Sequence, residues 1–438
     1  MRNSFPKVLI VGQYFDLSSG GGITMTNLFK GWDKNRIAVA GERISNPDYS
    51  VCNTYYQLGY TENKRRFPFF LWQKHDASGL MPVKQPPQGQ SPSPPLLVSK
   101  KMQLYNRFLH FSGLYHYTRR LRLSPGFAKW VQEYSPEIIY TQLSSLELID
   151  FILVLNKQYN LPVIIHIMDD WPSTISKNGI LKSFWHKIID KHFRLLINNS
   201  KILMSISDAM SEEYLHRYGK QFIPFHNPVN EAHWMQHSKT DYRANDPFIL
   251  LYAGRIGTGI QECFFELAEA VKELVEKGLK IEFHLQSTSI SYVIDEIREF
   301  DFVKIKKPVP YEDLPALFAS ADVLLLPNDF DAQSVSFLRY SMPTKASEYM
   351  ATATPILLYA NAATAVAKHA AKNKWAYIVT ENNSKILVAA IEELYHNEEL
   401  RKKIGNIAKE YSINHYSDVK VNAQFKQAFI AQKHDSNL

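Results

Sequence analysis

Cysteine is nearly absent, with Cys52 and Cys263 the only two in 438 residues. They stand far apart, with no Cys-x-x-Cys and no Cys/His cluster. A disulfide framework and a Cys-ligated structural zinc are therefore excluded, and a reducing cytosol is the expected compartment. No apolar run reaches the ~18 residues of a membrane-spanning helix. The opening MRNSFPKVLIVGQYF passes straight into a strand-like pattern, so no leader is expected and the protein is read as cytoplasmic. Glycine numbers only 18. No Gly-x-Gly-x-x-Gly stands in dinucleotide register, and no glycine-rich loop ends in Lys-Ser/Thr. A nicotinamide dehydrogenase and a P-loop nucleotidase are both disfavoured.

Hydrophobic residues at 45% and charged residues at 21% are ordinary globular usage. The length exceeds one compact core and predicts two domains with a cleft between them. The net charge of +7 is local: eleven Lys/Arg lie between Tyr60 and Pro125 against Glu62 and Asp76 alone. Such a confined excess points to an anionic partner such as lipid headgroups rather than to nucleic acid.

Short runs rich in Val, Ile and Leu alternate with helix-length amphipathic stretches. They are residues 7–15, 36–41, 137–142, 162–168 and 201–207 in one half, and 248–255, 280–287, 322–327, 355–360 and 376–380 in the other. Runs apolar on both faces are strands of parallel sheets covered on both sides, so the fold class is α/β, doubly wound, twice over. Asn-Pro in HNPVN (226–230) sets the boundary. The expected domains are 1–228, with a basic, proline-rich insertion at about 60–125, then 229–415, and a final helix in 416–438. The proline-rich stretch 81–97 reads as a surface insertion. Residues 100–123 have aromatics and leucines at helical spacing, six basic residues and no acid. They fit an interfacial helix on an anionic membrane, or a core-facing helix with a solvated basic side.

Chemistry is expected at strand carboxyl ends, where open α/β sheets bind ligands. In the first half, Ser18, Ser19 and Gly20, Gly21 and Gly22 open a helix whose free amides suit an anion or a sugar hydroxyl. Asp169 and Asp170 follow the strand at 162–168, positioned to bind acceptor hydroxyls or act as a base, with Trp171 as an apolar wall for a sugar ring. His166 alternates with isoleucines and reads as a packed core residue. In the second half, Gly254, Gly257 and Gly259 turn the chain at YAGRIGTG, and Arg255 projects where a guanidinium forks onto phosphate. Pro343 suits a first helical position, leaving the amides of Thr344 and Lys345 without intrahelical acceptors. A lysine there opposes the helix dipole unless an anion is bound. Glu348, one turn on, is placed to accept from a ribose diol. Asp329 and Asp331 in NDFD have Asp-x-Asp spacing but read as polar-loop or sugar-facing carboxylates, not a metal site.

Together SSGGG, SISDAMSEEYLHRYG with HNPVN, YAGRIG, VPYEDLPALFASADVLLLP and PTKASEYMATATPILLYA resemble, in order and spacing, the GT-B glycosyltransferases of the retaining family-4 group. The resemblance implies two Rossmann-like domains facing a cleft and a C-terminal helix crossing back to the first. It implies a nucleotide-diphosphate sugar donor, with Arg255 and Lys345 on the diphosphate and Glu348 on the ribose. Backbone near Pro308 and Val309 would line the base pocket, and Gly20 to Gly22 would approach donor phosphate or acceptor. It also implies a glycan or lipid-linked acceptor, surface polysaccharide or glycolipid biosynthesis at the cytoplasmic membrane face, and no required metal or cofactor. Three positions depart from the family pattern: Tyr340 stands for its first acidic residue, Met168 for a histidine, and GRIGTGI lacks a second basic residue. These departures keep two alternatives open, a catalytically silent nucleotide-sugar-binding subunit and an epimerase of the same fold.

Overall fold

The computed structural model describes residues 5–67, 69–72, 76–82, 100–174, 179–287 and 292–435. Most of the proline-rich stretch 81–97 lies outside them. The chain divides into two units, the first formed by residues up to Phe225 and from Asn422 onward, the second by His226–Val421.

The strands of the first unit are β1 (Val8–Val11), β2 (Ile37–Gly41), β3 (Thr54–Gln57), β4 (Asn63–Arg65), β5 (Gly79–Leu80), β6 (Arg119–Leu121), β7 (Ile138–Gln142), β8 (Val163–Ile167), β9 (Ile202–Ser205) and β10 (Ile223–Pro224). Eight form one sheet in the order β10, β9, β8, β7, β1, β2, β3, β5. All its pairings are parallel except β3 with β5, and β4 pairs with β6 in a separate antiparallel ribbon. β1 is central, Val8 lying opposite both Ile37 and Ile138. All four of its residues are buried because helices cover both faces. Serines start three of those helices: Ser124, Ser145 and Ser207 accept the N–H groups of Phe127, Leu148 and Met210. The helix Asp418–Asp435 enters this unit at Asn422. Its Phe425 and Phe429 rings lie 5.1 and 5.8 Å from Phe29, edge to face.

The second unit holds β11 (Phe248–Ala253), β12 (Ile281–Gln286), β13 (Val303–Lys306), β14 (Val323–Pro327), β15 (Ile356–Tyr359) and β16 (Tyr377–Val379). Its sheet order is β13, β12, β11, β14, β15, β16, parallel throughout. This is the 3-2-1-4-5-6 order of the Rossmann fold, whose strand order reverses between β11 and β14. The helix Cys263–Glu276 buries Phe264, Leu267, Val271 and Leu274 on the sheet. Loops leaving β11 and β14 therefore converge at the switch point.

β3 and β13 lie outside the apolar runs singled out in the sequence. TYYQ buries only its two central tyrosines, and VKIK is an edge strand with alternating lysines. Edge strands tolerate charge, which erases the apolar signal.

Candidate active site

At the carboxyl end of β11 the chain turns at Gly254, which has φ +145°; a Cβ there would stand 2.3 Å from Lys345 Nζ. The absence of a side chain admits the lysine. Lys345 lies in the first turn of the helix Thr344–Ala351, is half-buried, and donates from Nζ to the Ala253 carbonyl at 3.0 Å. Its ammonium sits 3.9 Å from the Tyr252 ring centroid, an attractive cation–π geometry. The tyrosine hydroxyl donates in turn to the Arg255 carbonyl at 2.6 Å. Burial, with the Arg255 charge adding to it, pushes the Lys345 ammonium down to about 7. Arg255 is exposed, and Gly257 approaches it so closely that a Cβ would meet Nη1 at 2.8 Å.

Glu348 is buried on the same helix. Its Oε1 accepts from the Tyr311 hydroxyl at 3.0 Å and from Asn227 Nδ2 at 3.3 Å. Burial pushes its carboxyl up to about 7, those two donors acting the other way. Tyr311 opens the short 3₁₀ turn Tyr311–Asp313 just after Pro308, which is exposed, and Val309, which is half-buried. The loop read as a base pocket is thus tied to the carboxylate read as a ribose acceptor. Pro343 is the cap residue, one position earlier than expected, with extended backbone and no side-chain cap bond. The helix begins beside a lysine whose charge burial disfavours, an arrangement relieved by an anion.

In the first unit, Gly20, Gly21 and Gly22 form the first turn of the helix Gly20–Leu28. Ser19 caps it, accepting from Gly22 N at 3.0 Å. Asp16, buried, organises the approach: Oδ1 accepts from Ser18 N at 2.8 Å and Ser19 N at 2.6 Å, and Oδ2 from Ser19 Oγ at 2.7 Å. A Cβ on Gly22 would overlap Asp16 Oδ2 at 2.0 Å, so glycine is required for close approach rather than flexibility. At the end of β8, Asp169 is exposed. Asp170 is 2% exposed and grips Arg217 with both oxygens at 2.9 Å, while Tyr214 donates to Oδ1 at 2.9 Å and Ser173 to Oδ2. A carboxylate so saturated has no lone pair to offer an acceptor hydroxyl, which corrects its reading as a base candidate. Trp171 is likewise buried, edge-on to Phe193 at 6.2 Å, and is a packing residue rather than an open wall. His166 is fully buried, 2.7 Å from the Tyr140 hydroxyl, and burial pushes it down to about 4.

Residues 238–411 match the family model of glycosyl transferases group 1. Solved structures of like fold span nearly the whole chain. Sucrose-phosphate synthase of Thermosynechococcus elongatus is 13% identical at a TM-score of 0.65, covering 98% of this chain and 100% of that one. Anabaena Alr3699/HepE in complex with UDP and glucose is 14% identical at 0.59 over the same shares. WaaG, a glycosyltransferase involved in lipopolysaccharide biosynthesis, is 11% identical at 0.56, covering 95% and 99%. The fold is that of the GT-B glycosyltransferases. No curated protein matches its sequence.

Two carboxylates read as sugar candidates are spent on backbone instead. Asp329, buried, accepts from Gln261 N with both oxygens at 2.9 Å and from Cys263 N at 3.0 Å, pinning the loop after β11 and starting the helix that follows. Asp331, exposed, caps the helix Ala332–Leu338 through Gln333 N at 2.9 Å and Ser334 N at 3.1 Å. Replacing Asp329 by Ala leaves buried N–H groups unmet and is expected to destabilise the protein by about 3 kcal/mol. Replacing Asp331 by Ala loses an exposed cap, about 1 kcal/mol. Urea unfolding of the two variants checks the difference. Among the described residues no group of three or more His, Cys, Asp or Glu is placed to hold a metal ion. Sequence reasoning missed Tyr252, Tyr311, Asn227 and Asp16. Of these, only Asp16 carried a signal, as an acid two residues before a Ser-Ser-Gly turn.

Proposed function

We propose that the enzyme transfers a sugar from a nucleotide-diphosphate sugar to a hydroxyl of a glycan or lipid-linked glycan, with retention and without an essential metal. The observation that carries this reading is Lys345, which the fold holds at a helix N-terminus against a carbonyl and a ring, beside Arg255. Arg255, Lys345 and the amides of the helix Thr344–Ala351, Thr344 included, receive the diphosphate. Glu348 accepts from the ribose hydroxyls, and backbone at Pro308 and Val309 borders the base. Gly254 and Gly257 allow the close approach, and Gly20 to Gly22 approach donor phosphate or acceptor.

As the bond from the anomeric carbon to the phosphate oxygen breaks, charge grows on the diphosphate, where the two cations stabilise it most. The acceptor oxygen forms the new bond. Its proton passes to the departing phosphate oxygen, or to exposed Asp169. A base on the leaving face delivers the acceptor to that same face, which gives retention. The N-terminal unit is read as the acceptor domain, His226–Val421 as the donor domain, and surface polysaccharide or glycolipid synthesis at the cytoplasmic membrane face as the setting.

The test incubates purified protein with nucleotide sugars, lipid extract and EDTA, and reads the product anomer by NMR. Transfer with the donor's anomeric configuration supports the reading. Inversion, dependence on added metal, or epimerised donor without transfer overturns it.

A further inference from the structure

Three exposed apolar side chains of the helix Lys100–Ser112, Leu104, Phe108 and Phe111, are spaced along one face, while Leu109 turns inward at 5% exposure. A second segment lies against the end of that helix. Ile180 N donates to the Phe111 carbonyl at 2.8 Å. Gly113 passes so close that a Cβ there would stand 3.2 Å from Leu181 Cβ and 2.5 Å from the Trp185 ring. The start of the helix Lys182–Asn199 therefore adds Ile180, Leu181 and Phe184, exposed by 70%, 43% and 53%, while Trp185 turns inward against His116. Two chain segments about 70 residues apart thus build one apolar ridge.

The two segments that carry the ridge, 100–123 and 180–187, hold charge of one sign. Arg107, Arg120, Arg122, Lys182 and Lys187 are exposed, and neither 100–123 nor 180–187 contains an acidic residue. Arg119, by contrast, is committed inward to Glu42 at 3.0 Å and Glu147 at 3.2 Å. No helix among the described residues is long and apolar enough to cross a membrane. Phenyl and aliphatic tips on segments whose exposed charges are all cations match the headgroup boundary of an anionic bilayer, with the rings among acyl chains and the cations on lipid phosphates.

We infer that the ridge formed jointly by 104–111 and 180–184 is a shallow insertion surface for anionic lipid. It deepens the proposed function by naming where a lipid-linked acceptor is met, and in that respect rests on it; lipid binding itself does not.

The experiment floats the full chain with phosphatidylcholine vesicles containing about a third phosphatidylglycerol, and with pure phosphatidylcholine. The anionic vesicles are expected to carry the protein at least ~10-fold better, and ~0.5 M salt to reverse most of the difference. Phe108→Glu with Phe184→Glu is expected to abolish flotation, and Arg107→Glu with Arg120→Glu to remove only the preference for anionic lipid. Both pairs are exposed. An unchanged melting temperature certifies their folding, and hydrogen exchange on the unsubstituted chain gives a second readout, lipid protecting 104–112 and 180–185. Equal binding to both vesicle types, no flotation, unaffected variants, or a dimer that the same substitutions dissolve would overturn the inference. Flotation by a protein that binds no nucleoside diphosphate keeps the lipid surface and removes the proposed reaction. The reverse result removes the surface alone.

Discussion

Lys345→Met is expected to weaken nucleoside diphosphate binding by about 10–100-fold at neutral pH, the scale of one lost charge-assisted hydrogen bond, and at the same time to raise the melting temperature of the free protein. The two effects share a cause. Burial holds the Lys345 ammonium at about 7, far below the usual lysine range. Between that range and 7 the folded chain binds fewer protons than the unfolded one, so lowering the pH towards 7 costs stability. Glu348 contributes a cost of the opposite slope: its carboxyl is held up at about 7, and the cost accumulates as pH rises from the usual carboxylate range to that point. Near neutrality both groups penalise the free fold, and methionine removes the larger of the two costs while filling the space under Tyr252. At about 2–4 °C per kcal/mol, a gain of ~1 kcal/mol is measurable by calorimetry. Inorganic pyrophosphate, which lacks the ribose, isolates the lysine. Its affinity for the unsubstituted enzyme should fall as pH rises through about 7, because binding must then draw a proton onto Lys345. The Met variant should lack that fall.

Arg217→Met is expected to destabilise the protein by about 3–5 kcal/mol, because it leaves the Asp170 carboxylate buried without its cation. Asp170→Asn should cost less. Arg217 keeps Glu213 as an ion-pair partner and is 22% exposed, against 2% for Asp170. Thermal or urea unfolding separates the two variants, and the asymmetry distinguishes a structural ion pair from a catalytic acid. If Asp170 were the acceptor's base, Asp170→Asn would abolish turnover with the melting temperature unchanged. The pair instead ties the end of β8 to the helix Asp208–Tyr218, so turnover in the asparagine variant should follow its folded fraction.

The ease of reading different parts of this chain from its sequence tracks the range of the interactions involved. The short apolar runs announce β1, β2, β7 to β9 and five strands of the second sheet, since burial on both faces leaves little else for them to be. Lys345 and Glu348 stood out because a cation in the first turn of a helix contradicts local electrostatics, a conflict visible within six residues. Asp170 and Asp329 misled for the opposite reason. Their partners lie 47 residues away at Arg217 and 68 away at Gln261, and no local pattern announces a long-range pairing that saturates a carboxylate. Asn227 seemed only to mark a boundary in HNPVN, yet it donates to Glu348 across 121 residues. The second half of the apolar ridge, Ile180 to Phe184, was hidden because an exposed phenylalanine and a buried one look alike until the fold says which way each points.

The proposed function rests on a diphosphate site formed by the loop after β11 and the helix Thr344–Ala351 and served by Lys345 and Arg255. It is tested most directly by calorimetric titration of a panel of nucleoside diphosphates into the unsubstituted protein and into Lys345→Met, with EDTA present throughout. One nucleotide binding the unsubstituted protein, and binding the variant about 10–100-fold more weakly, is the predicted result. Binding of equal strength to both proteins, or no binding by any nucleotide to a protein shown to be folded, would contradict it.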